Sequence, residues 1–235
     1  MTKVDLRVYA ILDPARCRGR PLGEMAEAAG RGGATLLQYR DKAGSTRHLI
    51  EAAREIGRAL APHSVPLLIN DRVDVALAAG ADGVHLGRDD LDCANARRLL
   101  GPRAIVGATV RNEADVEALA PGAIDYVCIG GVFSTTSKDN PDPPIGLTGF
   151  SRLAKLVRAR APGIPAGAIA GIDETNAAGV IRAGADGIAV MSAVIAAPDP
   201  EAAARRLRAL VDAAKAKHSG SLSPQGRVDA GRMQQ

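Results

Sequence analysis

The chain predicts an α/β fold of the closed (β/α)8 TIM-barrel class, and three observations predict it. Apolar runs of four or five residues recur eight times across 235 residues, each followed by a segment of helical periodicity. These runs lack the polar alternation of a strand with one wet face, which is the pattern of parallel strands buried on both sides. The pentapeptide Ala79-Gly-Ala-Asp-Gly83 returns as Ala183-Gly-Ala-Asp-Gly187, each time between a helix end and the next apolar run. An open doubly wound sheet is the competing architecture, and a count of eight units favours closure. With 46% hydrophobic residues the chain can bury one large core, so residues 1–217 read as a single barrel domain and 218–235 as a disordered tail without periodicity.

The elements follow in order. Val8 to Leu12 is a strand ended by Asp13-Pro14, and Leu22 to Ala29 a helix closing at Gly30. Thr35 to Tyr39 leads through Gly44-Ser45 into a helix over Thr46 to Leu60, with Leu49, Ile50, Ala53, Ile56 and Leu60 along one face. Pro66 to Asn70 and Gly83 to Leu86 are the third and fourth strands, the latter followed by a helix from Leu91 to Leu100 that Gly101-Pro102 stops. Ile105 to Thr109, a short helix over Glu113 to Leu119, Tyr126 to Ile129, a long loop and a helix over Leu147 to Arg160 continue the pattern. Ala166 to Ala170, a helix from Thr175 to Ala183, Gly187 to Met191 and a last helix from Glu201 to about Ala216 complete it.

Composition excludes several classes. Of the formal charge of +4, the segment Ala213 to Gln235 carries +3, which leaves +1 for the body. With no Trp, three Tyr and two Phe there is no aromatic platform for stacking bases, so no nucleic-acid partner is expected. Cys17, Cys93 and Cys128 are odd in number and widely spaced, which disfavours a disulfide framework and a structural zinc site. No signal segment or membrane-length apolar run is present, and a cytoplasmic protein with no membrane partner is expected.

In a barrel of this class chemistry sits at the C-terminal ends of the strands. There the sequence offers Gln38, Arg40 and Lys42 at every second position, Asn70-Asp71, Gly87 with Asp90, Thr109, the loop Gly130 to Asp139, Ala170-Gly171 and Met191-Ser192. Residues two apart in an extended chain share a face, so Gln38, Arg40 and Lys42 are expected to point one way, as an anion would require. Cations beside the carboxylates Asp71 and Asp90 suit a magnesium–diphosphate, since magnesium takes one or two carboxylates and completes its shell with phosphate oxygens and water. Asp71 could equally cap the helix that follows it. Gly171 and Ser192, after the seventh and eighth strands, suit a monophosphate. His85 reads as a satisfied barrel residue and Cys128 as a small core residue.

Five segments together resemble thiamine phosphate synthase: Gln38-Tyr-Arg40-Asp-Lys42, Leu68-Ile-Asn70-Asp71-Arg72, Gly83-Val-His-Leu-Gly87 with Asp90, Val132-Phe-Ser-Thr135-Thr-Ser137-Lys138, and Ala168-Ile-Ala-Gly171-Ile. The resemblance spans roughly Val8 to Ala213. It implies a transferase that joins hydroxymethylpyrimidine diphosphate to a thiazole phosphate with magnesium, releasing diphosphate. The substrates are small molecules, and a homo-oligomer is compatible with it. By this resemblance Gln38, Arg40, Lys42 and Asn70 bind the pyrimidine diphosphate, Asp71 and Asp90 the metal, and Lys138 the diphosphate. Thr135, Ser137, Gly171, Met191 and Ser192 hold the thiazole phosphate, and Thr109 stands where the family commonly has a substrate-facing Ser. Arg40 and Lys138 are the expected catalytic groups, acting on the leaving group's charge. Ser134, Ser137 and Ala170 depart from the family's usual Pro, Thr and Gly. A thiazole phosphate tautomerase on the same barrel, or a non-catalytic phosphate-binding module, are the competing functions.

Overall fold

A computed structural model describes residues 4–135 and 142–220, with side chains up to 217. Eight parallel strands close into a barrel in sequence order: β1 (Val8–Leu12), β2 (Leu36–Tyr39), β3 (Leu67–Asn70), β4 (Gly83–Leu86), β5 (Ile105–Val110), β6 (Tyr126–Ile129), β7 (Ala166–Ile169) and β8 (Gly187–Val190). The closing pair sets Tyr9 of β1 beside Ala189 of β8. Around the barrel run α1 (Leu22–Arg31), α2 (Thr46–Leu60), α3 (Val73–Ala79), α4 (Cys93–Leu100), α5 (Glu113–Glu117), α6 (Gly146–Arg160) and α7 (Ala177–Arg182). After β8 come a short α8 (Ser192–Ile195), which periodicity did not reveal, and α9 (Pro200–Gly220), which continues past the expected end at Ala216.

Alternation along each strand divides the apolar residues into two cores. One face of the strands (Val8, Ala10, Leu12, Val84, Leu86, Val127, Ile129) meets the helices, including Ile56, Phe150, Leu153 and Leu207. The other face fills the barrel with Tyr9, Ile11, Leu36, Leu68, Tyr126, Cys128 and Ala189, and Leu6 belongs to the same cluster. The Tyr126 ring fits because the facing position on β5 is Gly107, where a Cβ would stand 2.1 Å from the ring.

The repeated Gly-Ala-Asp-Gly turns lie at the N-terminal ends of the strands and hold the barrel rather than a ligand. Asp82 and Asp186 accept the backbone N–H of Leu67 and Ala166 at 2.7 and 2.9 Å, stitching each strand start to its neighbour. Asp125, before β6, does the same for Val106 at 2.8 Å, a third use of the device.

Candidate active site

The C-terminal mouth of the barrel opens into a cavity of about 650 Å³. Gln38, Arg40, Asn70, Thr109, Thr135, Gly171, Met191 and Ser192 all line it, so strand ends far apart in sequence converge as expected. Tyr9, His85 and Arg111 line it too, and sequence reasoning gave none of them a place in the site. Ser137 and Lys138 lie outside the described residues.

The three polar positions after Leu37 do not share one face. Strand β2 ends at Tyr39, so alternation holds only for Gln38. Gln38 is 2% exposed inside the barrel, Arg40 stands at the mouth, and Lys42 sits on the rim beyond the cavity lining. Arg40 is held by an ion pair to Asp13 at 2.5 Å, with both side chains largely buried. Asp13 also accepts the backbone N–H of Ala15. A carboxylate that fixes a guanidinium leaves the remaining N–H donors of that fork for a ligand.

Lys42 instead pairs with Asp71. Asp71 has φ of +62°, a left-handed conformation uncommon for a residue with a side chain. Its backbone N–H donates to His85 O at 3.0 Å, and its carboxylate turns toward Lys42 and Asp90 rather than over α3. The capping reading of Asp71 therefore does not hold: the N-cap of α3 is Arg72, with no side-chain cap. Asp90 accepts the N–H of Gly87 at 2.7 Å and is hydrogen-bonded to Asp71. Burial raises the Asp90 carboxyl, and the neighbouring Asp71 raises it further. Burial acts in the same sense on Asp71, but hydrogen bonds from Asp90 and Lys42 outweigh it and hold Asp71 below the ordinary carboxylate range. Of the two carboxyls, Asp90 is therefore the one that takes up a proton first as pH falls. Among the described residues no group of three or more His, Cys, Asp or Glu side chains is placed to hold a metal ion, so the acidic ligands this corner offers are the two carboxylates of Asp71 and Asp90.

Across the mouth, Ala170 and Gly171 both take positive φ, +93° and +64°. A Cβ on Gly171 would meet Ser134 O at 2.4 Å, so glycine lets the loops after β6 and β7 touch. Phe133 N donates to Ala170 O at 3.1 Å, and Asn176 Nδ2 donates to Gly171 O at 2.8 Å. Ser192 opens α8 beside them.

Below the cavity a chain of hydrogen bonds crosses the barrel. Gln38 Nε2 donates to Tyr9 Oη; Tyr9 Oη and Tyr126 Oη are 2.9 Å apart; His85 Nδ1 is 2.8 Å from Tyr126 Oη, and His85 Nε2 is 2.9 Å from Thr109 Oγ1. His85 is thus a satisfied barrel residue, and Cys128 is a buried core thiol.

Three comparisons agree on a family. Residues 8–194 match the family model described as thiamine monophosphate synthase. A thiamine-phosphate synthase of Agrobacterium fabrum is 55% identical over 214 residues, covering 91% of this chain and 97% of that one. One from Chloroflexus aurantiacus is 49% identical over 215 residues, covering 91% and 96%. Among solved structures, a thiamine phosphate pyrophosphorylase from Pyrococcus furiosus superposes with a TM-score of 0.78 at 34% identity, covering 91% of this chain and 99% of that one.

Proposed function

This chain belongs to the thiamine monophosphate synthase family, and from that premise we propose which of its residues carry out the transfer of a pyrimidinylmethyl group to a thiazole phosphate. The chain is a transferase. The observation that supports the residue roles is the placing of polar groups at two corners of the mouth: Arg40 in the cavity lining with Lys42, Asp71 and Asp90 joined outside that lining after β2 to β4, and Gly171, Met191 and Ser192 in the lining after β7 and β8.

The first corner suits a diphosphate. Arg40 is oriented by Asp13, and Lys42 reaches the rim, so both can neutralise charge that develops on the leaving group. Lys138 is the third cation in this role. Asp71 and Asp90 fit magnesium: two converging carboxylates of hard oxygen are its usual protein complement. Bound there, magnesium would supply further neutralisation of the diphosphate. Gln38, Asn70 and Thr109 hold the pyrimidine, and Thr135, Ser137, Gly171, Met191 and Ser192 hold the thiazole phosphate on the opposite side. With no protein nucleophile in the scheme, departure of diphosphate leaves a cation that the aminopyrimidine stabilises, and the thiazole nitrogen attacks it. The enzyme contributes leaving-group electrostatics and alignment.

The test is an assay with the pyrimidine diphosphate, the thiazole phosphate and magnesium. Thiamine phosphate and diphosphate are expected in equal amounts. Isomerisation of the thiazole phosphate alone, with no diphosphate released, would overturn the reading in favour of a tautomerase.

A further inference from the structure

We propose that Tyr9, Tyr126 and His85 form a one-directional hydrogen-bond relay through the barrel floor that locks the Gln38 amide and the Thr109 hydroxyl into one donor–acceptor pattern, making the site selective for an amino-bearing over an oxo-bearing pyrimidine. The inference rests on the proposed binding of a pyrimidine over Gln38 and Thr109.

The direction follows from the Gln38 amide, which turns Nε2 rather than its oxygen toward Tyr9 Oη. Tyr9 and Tyr126 are 1% and 0% exposed, and burial pushes both phenols far above their ordinary range, so each carries one proton to donate. Tyr9 Oη accepts from Gln38 Nε2, and its own proton goes to Tyr126 Oη at 2.9 Å. Tyr126 in turn donates to His85 Nδ1 at 2.8 Å, which places the imidazole proton on Nε2 and directs it to Thr109 Oγ1 at 2.9 Å. Thr109 then offers its own proton into the cavity that it lines. Packing holds the members in place: the Tyr9 and Tyr126 rings meet edge-on at 87°, and His85 stacks on Tyr126 with centroids 5.6 Å apart.

The consequence lies at the Gln38 end. One amide hydrogen is committed to Tyr9, so the second hydrogen and the carbonyl oxygen form an adjacent donor and acceptor. An amino group next to a ring nitrogen matches that pair. An oxo group next to a ring N–H requires the amide to flip, which sets the carbonyl against Tyr9 Oη and requires the whole relay to reverse, with the His85 proton moved to Nδ1 and the Thr109 proton turned away from the ligand. Tyr9, Tyr126 and His85 are positioning residues in this scheme, since they act through the two ends.

Two measurements test it. In the wild-type protein, nitrogen-15 spectra of labelled histidine, with His85 assigned by its loss in His85→Gln, should show the neutral tautomer protonated at Nε2; protonation at Nδ1 overturns the relay's direction. Dissociation constants of non-reacting analogues of the pyrimidine diphosphate, one amino and one oxo, should then be compared in wild type and in Tyr126→Phe. That variant frees the Tyr9 proton for a flipped amide, and the preference for the amino analogue should fall by about tenfold or more, the scale of one mispaired buried group. Equal weakening of both analogues would mean the phenol is only structural and would overturn the proposal. Tyr9→Phe, which removes the amide's anchor, should lose the preference likewise and serves if Tyr126→Phe does not fold. A wild-type protein with the Nε2 tautomer but no coupling activity would instead count against the synthase reading.

Discussion

Ala170 follows β7 at φ of +93°, in a region where a Cβ is unfavourable, and it is followed directly by Gly171 at +64°. Replacing it by glycine should therefore stabilise the protein, which is the reverse of the usual sign for that substitution. Left-handed backbone costs a non-glycine residue about 1–2 kcal/mol. Against that, glycine gives the unfolded chain more freedom, worth about 0.4–1 kcal/mol. The net expectation for Ala170→Gly is a gain of about 0.5–1 kcal/mol, or a rise in melting temperature of roughly 1–4 °C for a chain of this size. Its functional reading is the KM for the thiazole phosphate. The carbonyl of Ala170 accepts from Phe133 N at 3.1 Å, and relaxing the position lets that loop adjust around the phosphate, so KM should fall a few-fold with kcat little changed. Gly171→Ala is the matched control: its Cβ would stand 2.4 Å from Ser134 O and 2.7 Å from Phe133 Cβ, so crowding adds to the left-handed penalty. That variant should lose about 2–5 kcal/mol and much of its affinity for the thiazole phosphate. Thermal melts and urea titrations of both variants decide the matter. A melting temperature for Ala170→Gly at or below that of the parent would refute the strain argument.

Four further outcomes are expected. Asp71→Asn and Asp90→Asn should each raise the magnesium concentration needed for half-maximal rate by tenfold or more while the fold is kept, and unchanged magnesium dependence in both would remove the metal site. Because the Asp90 carboxyl is raised and keeps its proton to higher pH than an ordinary carboxyl, magnesium should bind more weakly as pH falls through its titration; a pH-independent affinity measured by calorimetry in wild type would contradict a raised Asp90. Lys138→Ala should slow diphosphate release far more than it weakens thiazole phosphate binding, and single-turnover kinetics separate the two. Asp13→Asn, which removes the charge that holds Arg40, should raise the KM for the pyrimidine diphosphate several-fold with little effect on that for the thiazole phosphate.

The parts of this molecule that could be read from its sequence are those fixed by local rules. A parallel strand buried on both faces has to be a short apolar run, so β4 and β6 fall on the expected residues, and the Ser45 cap at the start of α2 marks a boundary that the sequence also marks. Local rules fail where a neighbour decides. Alternation predicted that Lys42 would face the same way as Gln38, but the strand stops at Tyr39 and the lysine turns out to Asp71. Asp13 could be read only as a strand terminator, because its pairing with Arg40 spans 27 residues and depends on β1 and β2 lying side by side. The floor network is farther still from sequence reach. Tyr9 and Tyr126 are 117 positions apart, and they meet because the barrel closes and Gly107 leaves room for a ring.

That contrast bears on where selectivity can reside in such a site. The groups expected to touch the diphosphate stand at strand ends and on the rim, where charge acts over several ångströms and small displacements cost little. Recognition of a ring edge depends instead on which atom of an amide faces which oxygen, and the difference between right and wrong is one proton. Gln38 is 2% exposed, and a primary amide at that depth is oriented chiefly by the protein groups around it. Its orientation must come from a neighbour, and Tyr9 in turn needs an acceptor for its own proton, which Tyr126 supplies and His85 passes on. A buried amide that recognises a ring therefore requires a polar partner behind it, and that partner requires another, until the chain ends at a side chain such as Thr109 that can spend its proton on the ligand.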